Sequence, residues 1–133
     1  MDKLLDIEIV SQVKTALSGV IQSISAPGID GEFQVLYNHA PFVSTLGIGH
    51  IWVVNEFGEK YAFTTSGGIF EVRNNKVTIL AETIETKEDI DIERAKKALE
   101  RAEDRIKLAE DDVDILRAQL AIKRALNRLK MIE

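Results

Sequence analysis

The stretch Glu88–Ala102, EDIDIERAKKALERA, begins a segment whose composition differs from that of the preceding chain. All 8 glycines and both prolines of the 133 residues lie before it, and residues 89–133 contain neither. Alanine, leucine, glutamate, lysine and arginine dominate this segment, and these residues favour helix. We therefore predict an N-terminal domain over residues 1–87 and a helical domain over residues 88–133.

Apolar residues in the helical segment recur at intervals of three or four, the spacing of one helix face. These positions are Ala95, Leu99, Ala102, Ile106 and Ala109, followed by Leu116, Leu120, Ile122, Ala125, Leu129 and Ile132. The acidic run 110–114, EDDVD, interrupts the pattern and offers a helix N-cap. An antiparallel two-helix hairpin is the predicted structure. One continuous helix is the alternative, because no residue of the acidic run forbids it.

Alanine is unusually frequent along these apolar faces. Burial of apolar surface is worth roughly 25 cal/mol per Å², so an alanine face gains less on packing than a leucine face. Two interpretations follow. The hairpin is either tightly packed and stable, or it opens readily into an extended form.

Before residue 88, short runs rich in valine, isoleucine, phenylalanine and threonine alternate with turn residues. We predict strands at about 3–10, 18–26, 31–36, 48–54, 60–65, 68–73 and 76–84. Asn74-Asn75 predicts a tight hairpin turn because asparagine tolerates positive φ, and NEFGEK (55–60) predicts a looser hairpin. SAPGIDGEF (25–33) predicts another turn, in which Pro27 fixes φ while Gly28 and Gly31 are available for left-handed conformations. Short strands at regular spacing predict a β-sandwich, or flattened β-barrel.

The charge distribution limits the classes of partner. The net charge of −5 argues against general nucleic-acid binding, which depends on basic surfaces. Residues 1–90 carry 6 basic and 12 acidic side chains, residues 91–112 carry 6 and 8, and residues 113–133 carry 5 and 2. Only the last segment is basic, so we expect it to meet an acidic surface or a phosphate.

Other patterns argue against an enzyme and against a metal site. The chain has no cysteine, and its 2 histidines, His39 and His50, lie in no metal-ligand spacing. Gly67-Gly68 matches no phosphate-loop motif and predicts a bulge or close backbone packing instead. The apolar runs are too short to cross a bilayer, and residues 1–10 lack the features of a signal peptide.

The opening stretch also places charged side chains along one helix face. They are Asp91, Arg94, Lys97 and Arg101, and Arg124 and Arg128 share a face further along the chain. Guanidinium groups match phosphate oxygens, so a closed hairpin that joins the two basic pairs would form an anion site. The simpler alternative is a solvated helix start, in which Asp89 and Asp91 suit the helix N-terminus and residues such as Glu93 and Lys97 form ordinary ion pairs.

Several strings, taken in order, resemble the epsilon subunit of the bacterial rotary ATP synthase. They are SGVIQSISAPGIDGEFQVLYNHAP (18–41), SGGIFEV (66–72), VTILAETIE (77–85), EDIDIERA (88–95) and AQLAIKRALNRLKMIE (118–133). The resemblance extends from about Leu4 to Ile132. It implies a rotor subunit without catalytic activity, which helps to couple proton or sodium-ion flow to ATP synthesis.

The resemblance also implies partners and a location. The β-sandwich would contact the gamma subunit and the ring of c subunits. The helices would either fold back or extend toward the beta and alpha subunits, where they inhibit ATP hydrolysis. The subunit would lie at the cytoplasmic face of the plasma membrane and meet the membrane only through the complex. A stand-alone ATP-sensing β-sandwich with a helical lever is the alternative, and a nucleotide hydrolase is disfavoured.

Site residues follow from the same resemblance. Glu32 and His39 occupy the positions that face the c-ring, although Tyr37-Asn38 stands where the family commonly has Pro-Gly. IDIERA resembles the I-D-x-x-R-A motif of ATP-binding epsilon subunits. The implied ATP-binding set is Glu85, Ile90, Asp91, Arg94, Ala95, Arg101, Arg124 and Arg128. ATP would act as a regulatory ligand without magnesium and hold the hairpin closed.

Overall fold

The computed structural model describes residues 3–132, which form two compact units that divide between Thr86 and Lys87. The first unit contains nine strands and the second contains two helices. The strands are β1 Leu5–Val10, β2 Thr15–Gly28, β3 Gly31–Leu36, β4 Phe42–Leu46, β5 Gly49–Asn55, β6 Lys60–Thr65, β7 Gly68–Arg73, β8 Lys76–Ala81 and β9 Ile84–Glu85.

The strands form a flattened barrel of two layers, as predicted. One layer has the order β4-β7-β8-β1-β2, and the other has the order β3-β2-β5-β6-β9. β2 belongs to both layers because its first half pairs with β1 and its second half pairs with β3 and β5. A register irregularity between Ile21 and Ser23 lies where the strand passes from one layer to the other. All pairs are antiparallel except β1 with β8.

Alternate residues of these strands fill the space between the layers. Ile9, Phe70, Val72, Val77 and Ile79 are each 0% exposed. This alternation follows from the two-residue period of a strand, which sends successive side chains to opposite faces. It fixes the register, because a slip by one residue would move every core side chain to the surface.

Three predicted turns are confirmed. Asn74 and Asn75 join β7 to β8 with φ values of 50° and 59°. Residues 56–59 join β5 to β6, closed by a hydrogen bond of 2.8 Å from the Asn55 N–H to the Glu59 carbonyl. The turn predicted at 25–33 falls at Ile29 and Asp30, between β2 and β3, and Gly31 after it has a φ of 138°, whereas Pro27 and Gly28 end β2.

Two strands were missed by the sequence patterns. β4 directly follows Pro41, and its first residues, Phe42 and Val43, show no apolar–polar alternation. β9 was predicted as the end of one strand over 76–84, but that run breaks at Glu82-Thr83. The Thr83 hydroxyl accepts a hydrogen bond of 3.1 Å from the Ser66 N–H, which bends the chain away from β8.

The second unit is the predicted helical hairpin. A 3₁₀ turn at Lys87–Asp89 precedes α1, Ile92–Leu108, and α2 follows at Asp112–Met131. The continuous-helix alternative is wrong because the two residues that flank Glu110 have extended backbone. Each helix starts at an aspartate N-cap, as the acidic residues predicted. Asp91 accepts a hydrogen bond from the Arg94 N–H at 3.0 Å, and Asp111 accepts one from the Asp114 N–H at 2.8 Å.

The buried seam of the hairpin consists of alanines. Ala95 and Ala102 of α1 are 4% and 2% exposed, and Ala118 and Ala125 of α2 are 2% and 1% exposed. The placement of Leu116 and Leu120 on the packed face is wrong, because they are 56% and 41% exposed. Each lies two residues from Ala118, a rotation of about 200° around the helix. Both leucines therefore point away from the seam.

Candidate functional site

A shallow groove runs along one face of α1. It is lined by Asp91, Glu93, Arg94, Lys97, Glu100, Arg101 and Asp104. Four of these side chains are acidic and three are basic, so opposite charges along the face partly compensate one another. Asp91 is already engaged as the N-cap, which leaves Arg94, Lys97 and Arg101 as the cations that face the groove. The predicted shared face on α1 is therefore confirmed.

The arginines of both helices stand in a fixed relation to the alanine seam. The dipeptide Arg-Ala occurs at 94–95, 101–102, 117–118 and 124–125. In each case the alanine is buried and the preceding arginine is exposed. One residue corresponds to about 100° of rotation, so each arginine lies on the same flank of its own helix relative to the seam.

The antiparallel arrangement brings these two flanks to one side of the hairpin. Two antiparallel helices are related by an approximate two-fold axis perpendicular to the plane that contains them. That axis exchanges the helices without changing the side on which equivalent residues lie. Arg94 and Arg101 of α1 therefore share a side with Arg117 and Arg124 of α2. Arg128 lies one turn beyond Arg124, half-buried on the same flank.

The distance of each arginine from the inter-helix turn sets its level along the hairpin. Arg94 lies 16 residues before Glu110, close to the levels of Arg124 and Arg128, which lie 14 and 18 residues after it. Arg101 lies nearer the turn, opposite Arg117. With a rise of about 1.5 Å per residue, the two levels are about 10 Å apart. The hairpin thus brings Arg94 to the level of the α2 pair, whereas Arg101 belongs to a second level.

Arg117 was missed by the sequence reasoning. It is exposed and occupies the α2 position equivalent to Arg101 on α1. The repeated Arg-Ala dipeptide at seven-residue spacing is a signal in the sequence that identifies it. The basic side of the hairpin therefore holds five arginines, of which four were predicted.

The remaining residues of the predicted ATP set have different settings. Ile90 is 8% exposed, and its N–H donates to the Lys87 carbonyl at 3.4 Å. Ala95 belongs to the seam, so its methyl group faces the other helix. Glu85 lies in the other unit, on β9, where it pairs with Thr64. The structure therefore groups the arginines and Asp91 on the hairpin, and it places Glu85 on the sheet.

The two predicted c-ring residues lie at opposite ends of β3. Glu32 is exposed near the start of the strand, and His39 is half-buried in the loop that follows it. The strand between them, from Glu32 to Leu36, spans about 13 Å at 3.3 Å per residue. The two side chains therefore do not form one cluster; they mark separate points on the surface of the first unit.

The loop that carries His39 has a defined shape. Asn38 has a φ of 60°, a left-handed conformation that glycine and asparagine adopt most readily. Asparagine at this position therefore adopts a backbone conformation that most other residues disfavour. The His39 Nδ1 lies 2.6 Å from the Ala40 carbonyl oxygen. Because a carbonyl can only accept, this hydrogen bond requires the proton on Nδ1.

An exposed apolar patch on the outer face of the first layer was also missed. Val43, Ile69 and Leu80 are 65%, 51% and 55% exposed. Ile69 is directly paired with Leu80, and Leu80 is directly paired with Val10. The side chains of Ile69, Leu80 and Val10 therefore form a row across β7, β8 and β1. A groove lined in part by Val10, Ile69 and Leu80 continues the patch. Contiguous exposed apolar surface of this kind is typical of a protein interface.

Residues 3–132 contain the helices α1 and α2, 2 histidines and many aspartate and glutamate side chains. No helix in that range is long and apolar enough to cross a membrane. Within the same range, no three histidine, cysteine, aspartate or glutamate side chains are grouped to hold a metal ion.

Comparison with known proteins gives matches along nearly the whole chain. Residues 4–87 match the family described as ATP synthase, Delta/Epsilon chain, beta-sandwich domain. Residues 88–133 match the family described as ATP synthase, Delta/Epsilon chain, long alpha-helix domain. Together these two matches follow the same order as the strands and helices.

Individual relatives agree with this assignment. The ATP synthase epsilon chain of Nitratidesulfovibrio vulgaris strain DP4 is 48% identical over 106 residues, which are 80% of this chain and 78% of the relative. That of Salinibacter ruber is 42% identical over 110 residues, which are 77% and 74% of the two chains. In a cryo-EM structure of the Euglena gracilis mitochondrial ATP synthase (OSCP/F1/c-ring), one chain matches with a TM-score of 0.84 at 25% identity, covering 96% of this chain and 80% of that chain. The chain therefore belongs to the ATP synthase delta/epsilon family, and within it to the epsilon chains.

Proposed function

We propose that this protein is a non-catalytic rotor subunit of the central stalk, which couples ion flow to ATP synthesis and regulates ATP hydrolysis. The observation that carries the proposal is the pairing of two separate units in one chain, a β-sandwich with an exposed apolar patch and a helical hairpin with a basic side. The first unit suits permanent docking, and the second suits a conformational switch. The subunit would sit at the cytoplasmic face of the plasma membrane and reach the membrane only through the complex.

The apolar patch supports docking to the gamma subunit. The patch consists of Val10, Val43, Ile69 and Leu80, and it lies on a rigid sheet that needs no rearrangement to bind. Removing such surface from water is worth roughly 25 cal/mol per Å², so a large patch can hold two subunits together. Glu32 and His39 would contact the polar loops of the c-ring at separate points.

Co-purification with gamma tests this docking. Ile69→Glu places a charge inside the patch, and we expect it to lower recovery of the chain with gamma. Lys76→Glu is the matched control, because Lys76 is exposed at the opposite end of β8 from Leu80. Equal recovery of both variants would rule out the patch as the gamma-binding surface.

The alanine seam supports a hairpin that opens. The buried residues of α1 and α2 are four alanines, and each contributes only one methyl group to the seam. The closed state is therefore weakly held compared with a leucine seam. In the open state, the basic segment 113–133 would extend toward the beta and alpha subunits and obstruct rotation.

The basic side of the hairpin supports ATP as the ligand that keeps it closed. Arg94, Arg124 and Arg128 converge at one level only when the helices are antiparallel neighbours, so a phosphate chain bound there favours the closed state. The guanidinium groups supply the positive charge, and the proposal needs no magnesium ion. Arg101 and Asp91 extend the site along α1. Glu85, Ile90 and Ala95 are the other residues that the family resemblance assigns to ATP binding.

Calorimetric titration with ATP tests this site. The double substitution Arg124→Ala with Arg128→Ala should weaken binding at least tenfold, because charge-assisted hydrogen bonds to phosphate are lost. The matched control is Lys96→Ala with Lys123→Ala. It removes the same charge, but Lys96 lies on the opposite flank of α1 and Lys123 faces outward from α2. Unchanged affinity in the arginine variant would remove ATP from the proposal.

A further inference from the structure

The side chain of Asn75 connects three segments that are far apart in the sequence. Its Oδ1 accepts a hydrogen bond of 2.8 Å from the Asn38 N–H, 37 residues away. Its Nδ2 donates one of 2.8 Å to the Leu4 carbonyl, 71 residues away. Its own carbonyl accepts a third, of 3.0 Å, from the Asp6 N–H. One residue of the β7–β8 turn thus holds the start of β1 and the loop that carries His39.

The residue type at this position is closely specified. The backbone of Asn75 has a φ of 59°, which asparagine and glycine tolerate better than other residues. The bridge requires one acceptor and one donor on a short side chain. Aspartate has no amide donor, and glycine has neither group, so asparagine meets all three requirements.

A second anchor holds the other end of the same loop. The Phe42 ring packs edge-to-face on Phe33 and Phe70, with centroids 5.1 Å and 6.3 Å apart. Phe70 is fully buried in the core. The His39 ring lies against Phe42, with centroids 6.0 Å apart. The loop is therefore fixed by hydrogen bonds at Asn38 and by aromatic packing at Phe42, and His39 lies between these two anchors.

We infer that Asn75 is a positioning residue for the His39 loop, and that through this loop it sets the contact with the c-ring. The inference rests on the proposed function, because the ring contact at His39 belongs to that proposal. Binding a partner through a pre-formed loop avoids the cost of ordering the loop on association. Loss of the Asn75 bridge therefore weakens the ring contact without removing any residue that touches the ring.

Hydrogen exchange of the full-length chain tests the positioning step. Asn75→Gly keeps the left-handed backbone and removes the bridge, so the Asn38 amide should exchange about 5- to 10-fold faster. Asn74→Gly is the matched control, since Asn74 occupies the adjacent turn position with a φ of 50° and an exposed side chain. It should leave the Asn38 amide unchanged. Equal exchange at Asn38 in wild type and Asn75→Gly would overturn the inference.

Ion pumping by the reconstituted synthase tests the functional step. Asn75→Gly should lower the number of ions transported per ATP hydrolysed, whereas Asn74→Gly should not. His39→Ala should lower the same ratio, and the double variant Asn75→Gly with His39→Ala should be no worse than His39→Ala alone. Additive losses would show that Asn75 acts apart from His39 and would overturn the inference.

The two proposals fail in different ways. If His39→Ala leaves the number of ions transported per ATP hydrolysed unchanged, the proposed ring contact at His39 is wrong. The functional half of the inference is then refuted as well. The exchange rate of the Asn38 amide still decides whether Asn75 positions the loop. If His39→Ala lowers the ratio but Asn75→Gly does not, the ring contact stands and the role of Asn75 is refuted.

Discussion

Substitution of Ala118 by leucine should shift the hairpin toward its open state. Ala118 is 2% exposed in the seam between α1 and α2, so the seam has no room for the larger side chain. Inserting extra methylene groups into a packed interior costs roughly 1–3 kcal/mol. That energy corresponds to a shift of about 5- to 150-fold in the equilibrium between closed and open hairpins.

The adjacent position provides a matched control. Gln119 is exposed on the outer side of α2, so Gln119→Leu adds the same side chain without entering the seam. Leucine and glutamine have similar helix propensities, so helix content measured by circular dichroism should be retained in both variants. A surface change of this kind usually alters stability by less than about 0.5 kcal/mol. Only the variant in the seam should open.

Two assays report the shift. Apparent ATP affinity should fall in Ala118→Leu as the closed fraction decreases, because in the proposed mechanism only the closed state binds ATP. Hydrolysis by the reconstituted complex should fall as well, since the open hairpin is the proposed inhibitory state. The distance between a label on α1 and a label on α2 reports opening of the hairpin directly. The reasoning is refuted if this distance increases in Ala118→Leu while ATP affinity stays at the wild-type value.

Three further outcomes are expected. Arg124→Ala with Arg128→Ala should relieve inhibition of ATP hydrolysis in the complex as well as weaken ATP binding; retained inhibition would show that these charges do not meet the catalytic head. Asp91→Ala should lower the stability of the helical unit by about 1 kcal/mol through loss of the N-cap, measured by thermal unfolding, and Asp91→Ser should recover most of it. Gly68→Ala should lower the melting temperature of the chain. The added methyl group would collide with the Leu80 carbonyl, and the φ of 147° at Gly68 is unfavourable for alanine. An unchanged melting temperature would contradict this prediction.

Local chemistry explains which parts of the fold could be predicted. The hairpin turn at Asn74-Asn75 and the helix start at Asp91 depend on the residues themselves, and both predictions are confirmed. β4 depends on pairing with β7, a strand distant in the sequence. The Gly28–Leu46 pair that closes the barrel joins residues 18 positions apart, and no local pattern reveals such a pair.

The helical spacing of apolar residues alone predicts the wrong packed face for α2. Leu116 and Leu120 have helical spacing, and a pattern based on size favours them over alanine. The seam instead follows Ala118 and Ala125, which allow close approach to the alanines of α1. The repeated Arg-Ala dipeptide indicates which face of each helix is buried, because its alanines lie in the seam and its arginines lie beside the seam.

The candidate sites were predictable to different degrees. The arginine pairs follow from spacing and from the hairpin, whereas Arg117 became apparent only once the buried alanines were known. The apolar patch was missed because strand alternation predicts a polar outer face, and Ile69 and Leu80 depart from that rule. The Asn75 bridge spans 71 residues and has no signature in the sequence.

ATP hydrolysis by the reconstituted complex tests the regulatory role most directly. The comparison is between the full chain and a chain ending at Lys87, which retains the whole β-sandwich unit and its apolar patch. Gamma should be recovered equally with both, which shows that docking is intact. The account predicts faster hydrolysis with the shortened chain. Equal hydrolysis rates in the two complexes would contradict it.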